Sequence, residues 1–332
     1  MSAATKNPAP STVLSLAQLL QEQQPTPPCL IEPGLLPPQG ILFVGGEPKV
    51  GKSLLVANLA LALAAGTNPA GFTIPAACRV LVCQFELPLV QFVSRLGLMR
   101  RSFGTAADQR LLVDTRAGGH LLSAPQGLNH FLAAAQAAAA EVIVLDPLYS
   151  THDQDENDTR AMAALCQSLL RLRDASRAAL IVVHHVRKSI SREEIGSAFR
   201  GSSALHAVGD SYLLLTRLSP QLPTLELRFQ FRYAAPPPPR LLELNPHTLC
   251  FSSTGPAPAR TAADRCKVEK TDVTEALAQR GGQLRYNQLR QEIMQRTQCS
   301  KRTAQLAITQ AAQQGLILQD DGQYRLALVG TG

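Results

Sequence analysis

Apolar residues in the middle of the chain fall into short runs separated by stretches with helical spacing. The run at 41–44 precedes a helical stretch at 54–65, and the run at 79–85 precedes another at 89–101. The rhythm continues with a helix over 127–140, a strand over 142–145, a helix over 159–175 and a strand over 180–183. Strands alternating with helices predict βα units and a parallel sheet. Strands as uniformly apolar as Val142-Ile143-Val144-Leu145 predict cover on both faces. Beyond Gly209 the runs at 212–215, 224–233 and 240–244 follow one another without a helical stretch, which predicts an antiparallel extension of the sheet, with Pro236 to Pro239 in a loop.

The flanks read differently. Residues 1–28 are rich in Pro, Gln, Ser and Thr around one apolar patch at 13–20, the pattern of a loosely attached arm. Residues 252–260 carry Pro, Ser, Ala and Gly without periodicity, and the linker is placed at 252–264. Past it, 268–279 reads as an amphipathic helix broken by Gly281-Gly282, 285–295 as a second, and a third is capped by Ser300 and runs to 314. Residues 316–318 and 324–328, joined through Asp320-Asp321-Gly322, predict a hairpin. The expected organisation is an arm over 1–28, an α/β domain over 29–251 and a winged-helix-like domain over 265–332.

Composition changes this picture little. The 332 residues are 45% hydrophobic and 17% charged with no Trp, so the core is aliphatic. The net charge of +7 suits an anionic partner without choosing among nucleotide, nucleic acid and lipid. From Pro256 onward 11 Lys/Arg stand against 7 Asp/Glu, a net of +4, which places much of the excess at the C-terminal end. Seven cysteines with no CxxC pair argue against a zinc site or a disulfide framework, and the absence of a long apolar run points to a cytoplasmic chain without a membrane span.

Candidate chemistry gathers at the ends of the predicted strands. Gly46, Glu47, Pro48, Lys49, Val50, Gly51, Lys52 and Ser53 match GxxxxGK[ST] between a strand and a helix, with Leu54 continuing that helix. In such a loop backbone N–H groups wrap phosphates, Lys52 reaches the terminal phosphates of ATP, and Ser53 ligates Mg2+. Asp146 ends an apolar strand and is the second expected metal ligand. It is followed by Pro147 and Leu148 rather than a glutamate, so the general base is assigned to Glu86, at the tip of what is read as a neighbouring strand. His184 and His185 end a further strand; adjacent residues face opposite ways, and His185 is the preferred phosphate sensor.

Together these residues resemble the RepA family of hexameric replicative helicases, a RecA-like group. Leu30-Ile31-Glu32 with Gly34-Leu35-Leu36-Pro37, the phosphate loop, Glu86, Asp146, His184-His185 and the run Arg200-Gly201-Ser202-Ser203-Ala204-Leu205 fall in that family's order over about residues 29–245. The resemblance implies a RecA-like P-loop fold with a mostly parallel central sheet, a hexamer with ATP at each subunit interface, single-stranded DNA at the ring, and Arg200 reaching the neighbouring subunit's nucleotide. The chain departs from the pattern at Phe229-Gln230-Phe231-Arg232-Tyr233, where a lysine-containing motif would fit; either Arg232 substitutes for it or that contact is lost. It also carries the C-terminal extension, which a minimal helicase of this group does not require.

In a winged helix the third helix enters the major groove of duplex DNA. That would offer Lys301, Arg302, Thr303 and Gln305, with Arg325 on the wing. Winged helices also make protein contacts. Three readings stand side by side: a DNA-associated motor, an ATP-switched DNA-binding regulator, and a recombinase-like filament.

Overall fold

The computed structural model describes residues 13–21, 27–156, 158–186, 195, 199, 203–218, 223–257, 268–297, 299–320 and 322–327. The chain forms two compact units, Met1–Ala257 and Pro258–Gly332.

The first unit is built on a nine-stranded sheet. Its strands are β1 (Ile41–Gly46), β2 (Val80–Gln84), β3 (Leu111–Asp114), β4 (Val142–Asp146), β5 (Ala179–His185), β6 (Ser211–Arg217), β7 (Leu225–Phe231), β8 (Arg240–Asn245) and β9 (Cys250–Pro256). They lie in the order β3-β2-β4-β5-β1-β6-β7-β8-β9. The pairs from β3 to β6 are parallel, and those from β6 to β9 are antiparallel. The expected antiparallel extension is therefore present but begins one strand later than expected. Residues 211–217 still run parallel to β1, and helix α6 (Ser203–Val208) precedes them.

Helices α2 (Lys52–Ala65), α3 (Leu89–Phe103), α4 (Pro125–Ala138) and α5 (Thr159–Ser176) cross between the parallel strands. Side-chain alternation along each strand divides the interior into two layers. Leu42, Val44, Val144 and Ile181 pack with α2, whereas Phe43, Ile143, Leu145 and Val182 pack with residues of α4 and α5. Helix α2 is apolar all round and its residues Leu55 to Ala64 are nearly all buried. Asn58 is its buried exception: its amide nitrogen donates to Leu249 O at 3.1 Å and its oxygen accepts from Phe251 N at 2.7 Å. These bonds fasten the β8–β9 turn onto the helix that follows the phosphate loop.

Strand β9 occupies residues expected to be linker, so the sheet runs to Pro256 and the expected start at 252 is too early. In the arm, α1 (Leu16–Gln21) is helical and buries none of its residues. Among the described residues no helix is long and apolar enough to cross a membrane.

The second unit contains α7 (Lys270–Ala278), β10 (Gln283–Arg285), α8 (Tyr286–Thr297), α9 (Lys301–Gln313), β11 (Ile317–Asp320) and β12 (Gln323–Leu326). Three helices and the hairpin match the expectation, and β10 adds a third strand in the order β10-β12-β11. Val273, Leu277, Leu289, Ile293, Ile308 and Ile317 form its core. The Ser300 hydroxyl accepts from Thr303 N at 3.2 Å, capping α9 as expected.

Candidate nucleotide site

The C-terminal ends of β1, β5, β4 and β2 lie side by side and converge the expected chemistry on one edge of the sheet. Beyond Gly46 the chain turns sharply. Lys49 has φ 62° and Gly51 φ 107°, left-handed conformations that let the loop curl before α2 begins. At Gly51 a side chain would be strained by this φ and would press on Phe251. No side chain caps the N-terminus of α2, so its first N–H groups are left for an anion, which the helix dipole also favours.

Lys52 is buried, and its Nζ donates to Gly46 O at 2.9 Å and Glu47 O at 3.0 Å. Burial lowers its pKa to about 8, opposed by the charges of Asp146 and Glu86. His185 Nδ1 lies 3.1 Å from Nζ. Burial also holds the His185 imidazole below its ordinary value, and the nearby ammonium adds to the shift, so a neutral ring faces the lysine.

Ser53 Oγ donates to Asp146 Oδ1 at 2.9 Å, joining the P-loop helix to the tip of β4 across the strand between them. Burial pushes Asp146 up to about 6; the Ser53 hydrogen bond opposes the shift and the charge of Glu86 adds to it. A buried carboxylate beside a hydroxyl, both hard oxygen donors, fits Mg2+. Ser53 and Asp146 are the residues that would hold it.

Glu86 stands two residues past β2 in a turn pinned by Leu87 N donating to Gln84 Oε1 at 2.9 Å. β2 borders β4 rather than β1, with β4 and β5 between it and the phosphate loop, so Glu86 approaches from the Asp146 side. Its exposed carboxylate accepts a hydrogen bond from the Tyr149 hydroxyl. The Tyr149 ring lies 5.4 Å from that of His185, and these two residues with His152, Gln154 and Glu156 line a cleft of about 380 Å³.

A family model described as an AAA domain matches residues 6–190, more than half of the chain. The chain belongs to the AAA domain family. As P-loop ATPases, members of this family bind nucleotide. Among solved structures, a DnaB-like replicative helicase studied with its interactions with primase superposes with a TM-score of 0.52 at 12% identity, covering 65% of this chain and 59% of that one. The ATPase domain of G40P gives 0.48 at 14% identity, covering 64% of this chain and 84% of that one. The RadB recombinase gives 0.46 at 15% identity, covering 65% and 90%. No curated protein matches the chain. The RecA-like fold expected from the RepA resemblance is thus present, with a mostly parallel central sheet and the phosphate loop at the end of β1.

The structure brings Lys52, Ser53, Glu86, Asp146 and His185 of this AAA domain to one edge. His184 turns the other way, buried near Phe199, and burial lowers its pKa to about 4. Arg200 lies outside the described residues. Arg232 does not reach the phosphate loop of its own chain. It pairs with Asp210 at 3.3 Å, and Asp210 Oδ2 accepts from Ile41 N at 2.9 Å. That is the opposite end of β1, because β7 runs antiparallel and carries its last residues away from the phosphate loop.

Tyr149, Asn58 and Arg217 were not singled out by the sequence. Arg217, at the end of β6, donates to Lys49 O at 3.4 Å. The signal for Arg217 is a basic residue ending a strand, and it becomes informative only once β6 is known to pair with β1. In the second unit Lys301 and Arg302 are exposed on the first turn of α9, while Gln305 is half-buried. Thr303 is engaged with Ser300 at the cap, and Arg325 pairs with Asp320 at 3.4 Å.

Proposed function

We propose that this AAA domain protein is an ATP-hydrolysing, DNA-associated motor related to RepA-like replicative helicases, with ATP held at the interfaces of a homo-hexamer. The convergence of Lys52, Ser53, Asp146, Glu86 and His185 on one sheet edge carries this reading. The loop N–H groups and Lys52 bind the phosphates, and Glu86 orients water and takes its proton as the γ-phosphate is attacked. Bound Mg2+ would supply neutralisation of the phosphate charge. His185, held neutral beside Lys52, senses whether the γ-phosphate is present.

Single-stranded DNA is assigned to the ring. Duplex DNA is assigned to the second unit, whose α–β–α–α–β–β order and capped third helix support a winged helix reading it through Lys301 and Arg302. Thr303, Gln305 and Arg325 are secondary contacts in this reading, since capping, burial and the Asp320 pair already engage them. The exposed Lys301 and Arg302 also support a second reading, an ATP-switched DNA-binding regulator.

The interface is tested by mixing. An Arg200→Ala subunit is expected to bind ATP but hydrolyse it poorly, and a Glu86→Ala subunit likewise. Mixed under conditions where subunits demonstrably exchange, the two should recover part of the wild-type turnover, because some interfaces then pair an intact base with an intact arginine. No recovery would contradict a site shared between subunits.

A further inference from the structure

Tyr149 belongs to no recognised motif, yet it touches two residues of the candidate site, Glu86 and His185. It stands three residues past Asp146 on a short 3-10 turn, Leu148–Thr151, whose first and last residues are fully buried. Thr151 Oγ1 donates to Leu148 O at 2.7 Å, and Thr151 O accepts from Leu122 N at 2.7 Å. The turn is a rigid mount, and Tyr149 is the large side chain it projects outward, 41% exposed.

From there the ring reaches His185, and the hydroxyl donates to Oε1 of Glu86. Glu86 by itself is a flexible side chain at an exposed turn. Its backbone is held, since Phe85 N donates to Asp146 O at 3.1 Å, but its carboxylate is aimed by no other hydrogen bond among the described residues. A phenol donating to one carboxylate oxygen restrains where that oxygen sits and leaves the second oxygen's lone pairs free to accept from water.

We propose that Tyr149 is a positioning residue that aims Glu86, and that its face against His185 registers the base with the Lys52 side of the site. This rests on the reading of Glu86 as general base. Tyr149 contributes no proton to the reaction: its hydroxyl stays protonated while Glu86 takes the proton from water. Its effect is orientational, and a misaimed reacting group slows the chemical step while leaving ground-state binding in place.

The test is a double-mutant cycle of Tyr149→Phe, Glu86→Gln and the double variant in the full chain. Single-turnover ATP hydrolysis, kcat, KM and binding of a fluorescent ATP analogue would be measured for each. Phenylalanine keeps the ring packed on His185, and an unchanged melting temperature would verify the fold. Tyr149→Phe is expected to lower kcat about tenfold, with KM and analogue binding near wild type. In the Glu86→Gln background the same substitution should cost nothing further, because no base remains to be aimed.

The proposal is overturned if Tyr149→Phe leaves kcat unchanged while Glu86→Gln is inactive, or if its loss is undiminished in the Glu86→Gln background. Wild-type turnover in Glu86→Gln would instead remove the assignment of the base, and the role of Tyr149 with it.

Discussion

Lys52→Ala is expected to lower ATP turnover by about 10²- to 10³-fold or more, the cost of removing a fixed cationic donor from a developing phosphoryl charge. The lysine is well placed for that work. Its ammonium is buried at the mouth of the phosphate loop, held by two loop carbonyls, with a neutral imidazole 3.1 Å away. Burial has already brought its pKa down to about 8. An incoming triphosphate places negative charge beside the ammonium and raises the lysine pKa, so binding and lysine protonation are coupled. Measured by phosphate release, turnover surviving in Lys52→Ala at the wild-type rate would remove the P-loop from the chemistry altogether. The second unit, with its own core, should fold and bind duplex DNA in the variant as before.

Asp146→Asn combines a comparable loss of turnover with a gain in stability. Burial raises the Asp146 pKa from 3.8 to about 6, so between those values the folded chain holds a proton that the unfolded chain has released. Stability therefore falls as pH rises through that window, and the penalty is fully present above it. A shift of this size corresponds to roughly 3 kcal/mol. Asparagine retains an oxygen to accept from Ser53 and carries no charge. Without nucleotide or metal, Asp146→Asn should melt several degrees above wild type at pH 8 and converge with it near pH 4. Equal melting at pH 8 would mean that the carboxylate is already compensated. Mg2+-dependent hydrolysis should be lost, because the site then offers a neutral amide where the cation requires a carboxylate.

The parts of this site visible from sequence are those fixed by local pattern. A strand, a GxxxxGK[ST] loop and an apolar helix are contiguous, and strands as apolar as 142–145 and 180–183 display their terminal Asp146 and His185 plainly. What local pattern lacks is strand order. Glu86 reads as a neighbour of the phosphate loop, whereas β4 and β5 stand between them, and Arg232 reads as available to the site when its strand has carried it to the far end of β1.

Short or half-covered elements are also hard to read. β3 is a four-residue edge strand, β10 has three residues, and β9 buries Phe251 alone while its Ser, Gly and Pro mimic a linker. Tyr149 is invisible for a different reason: its partner Glu86 is remote in sequence, and an exposed tyrosine after a strand carries no periodic signal. Asn58 inside an apolar helix was open to notice, since a buried amide in such a helix must find partners.

Steady-state ATP hydrolysis without DNA, with single-stranded DNA and with duplex, using Lys52→Ala as the blank, would show whether the chain is a DNA-associated ATPase motor. Strong stimulation by single strands is the expected result. Slow turnover that no DNA changes, alongside measurable duplex binding, would contradict the motor and leave the ATP-switched regulator in its place.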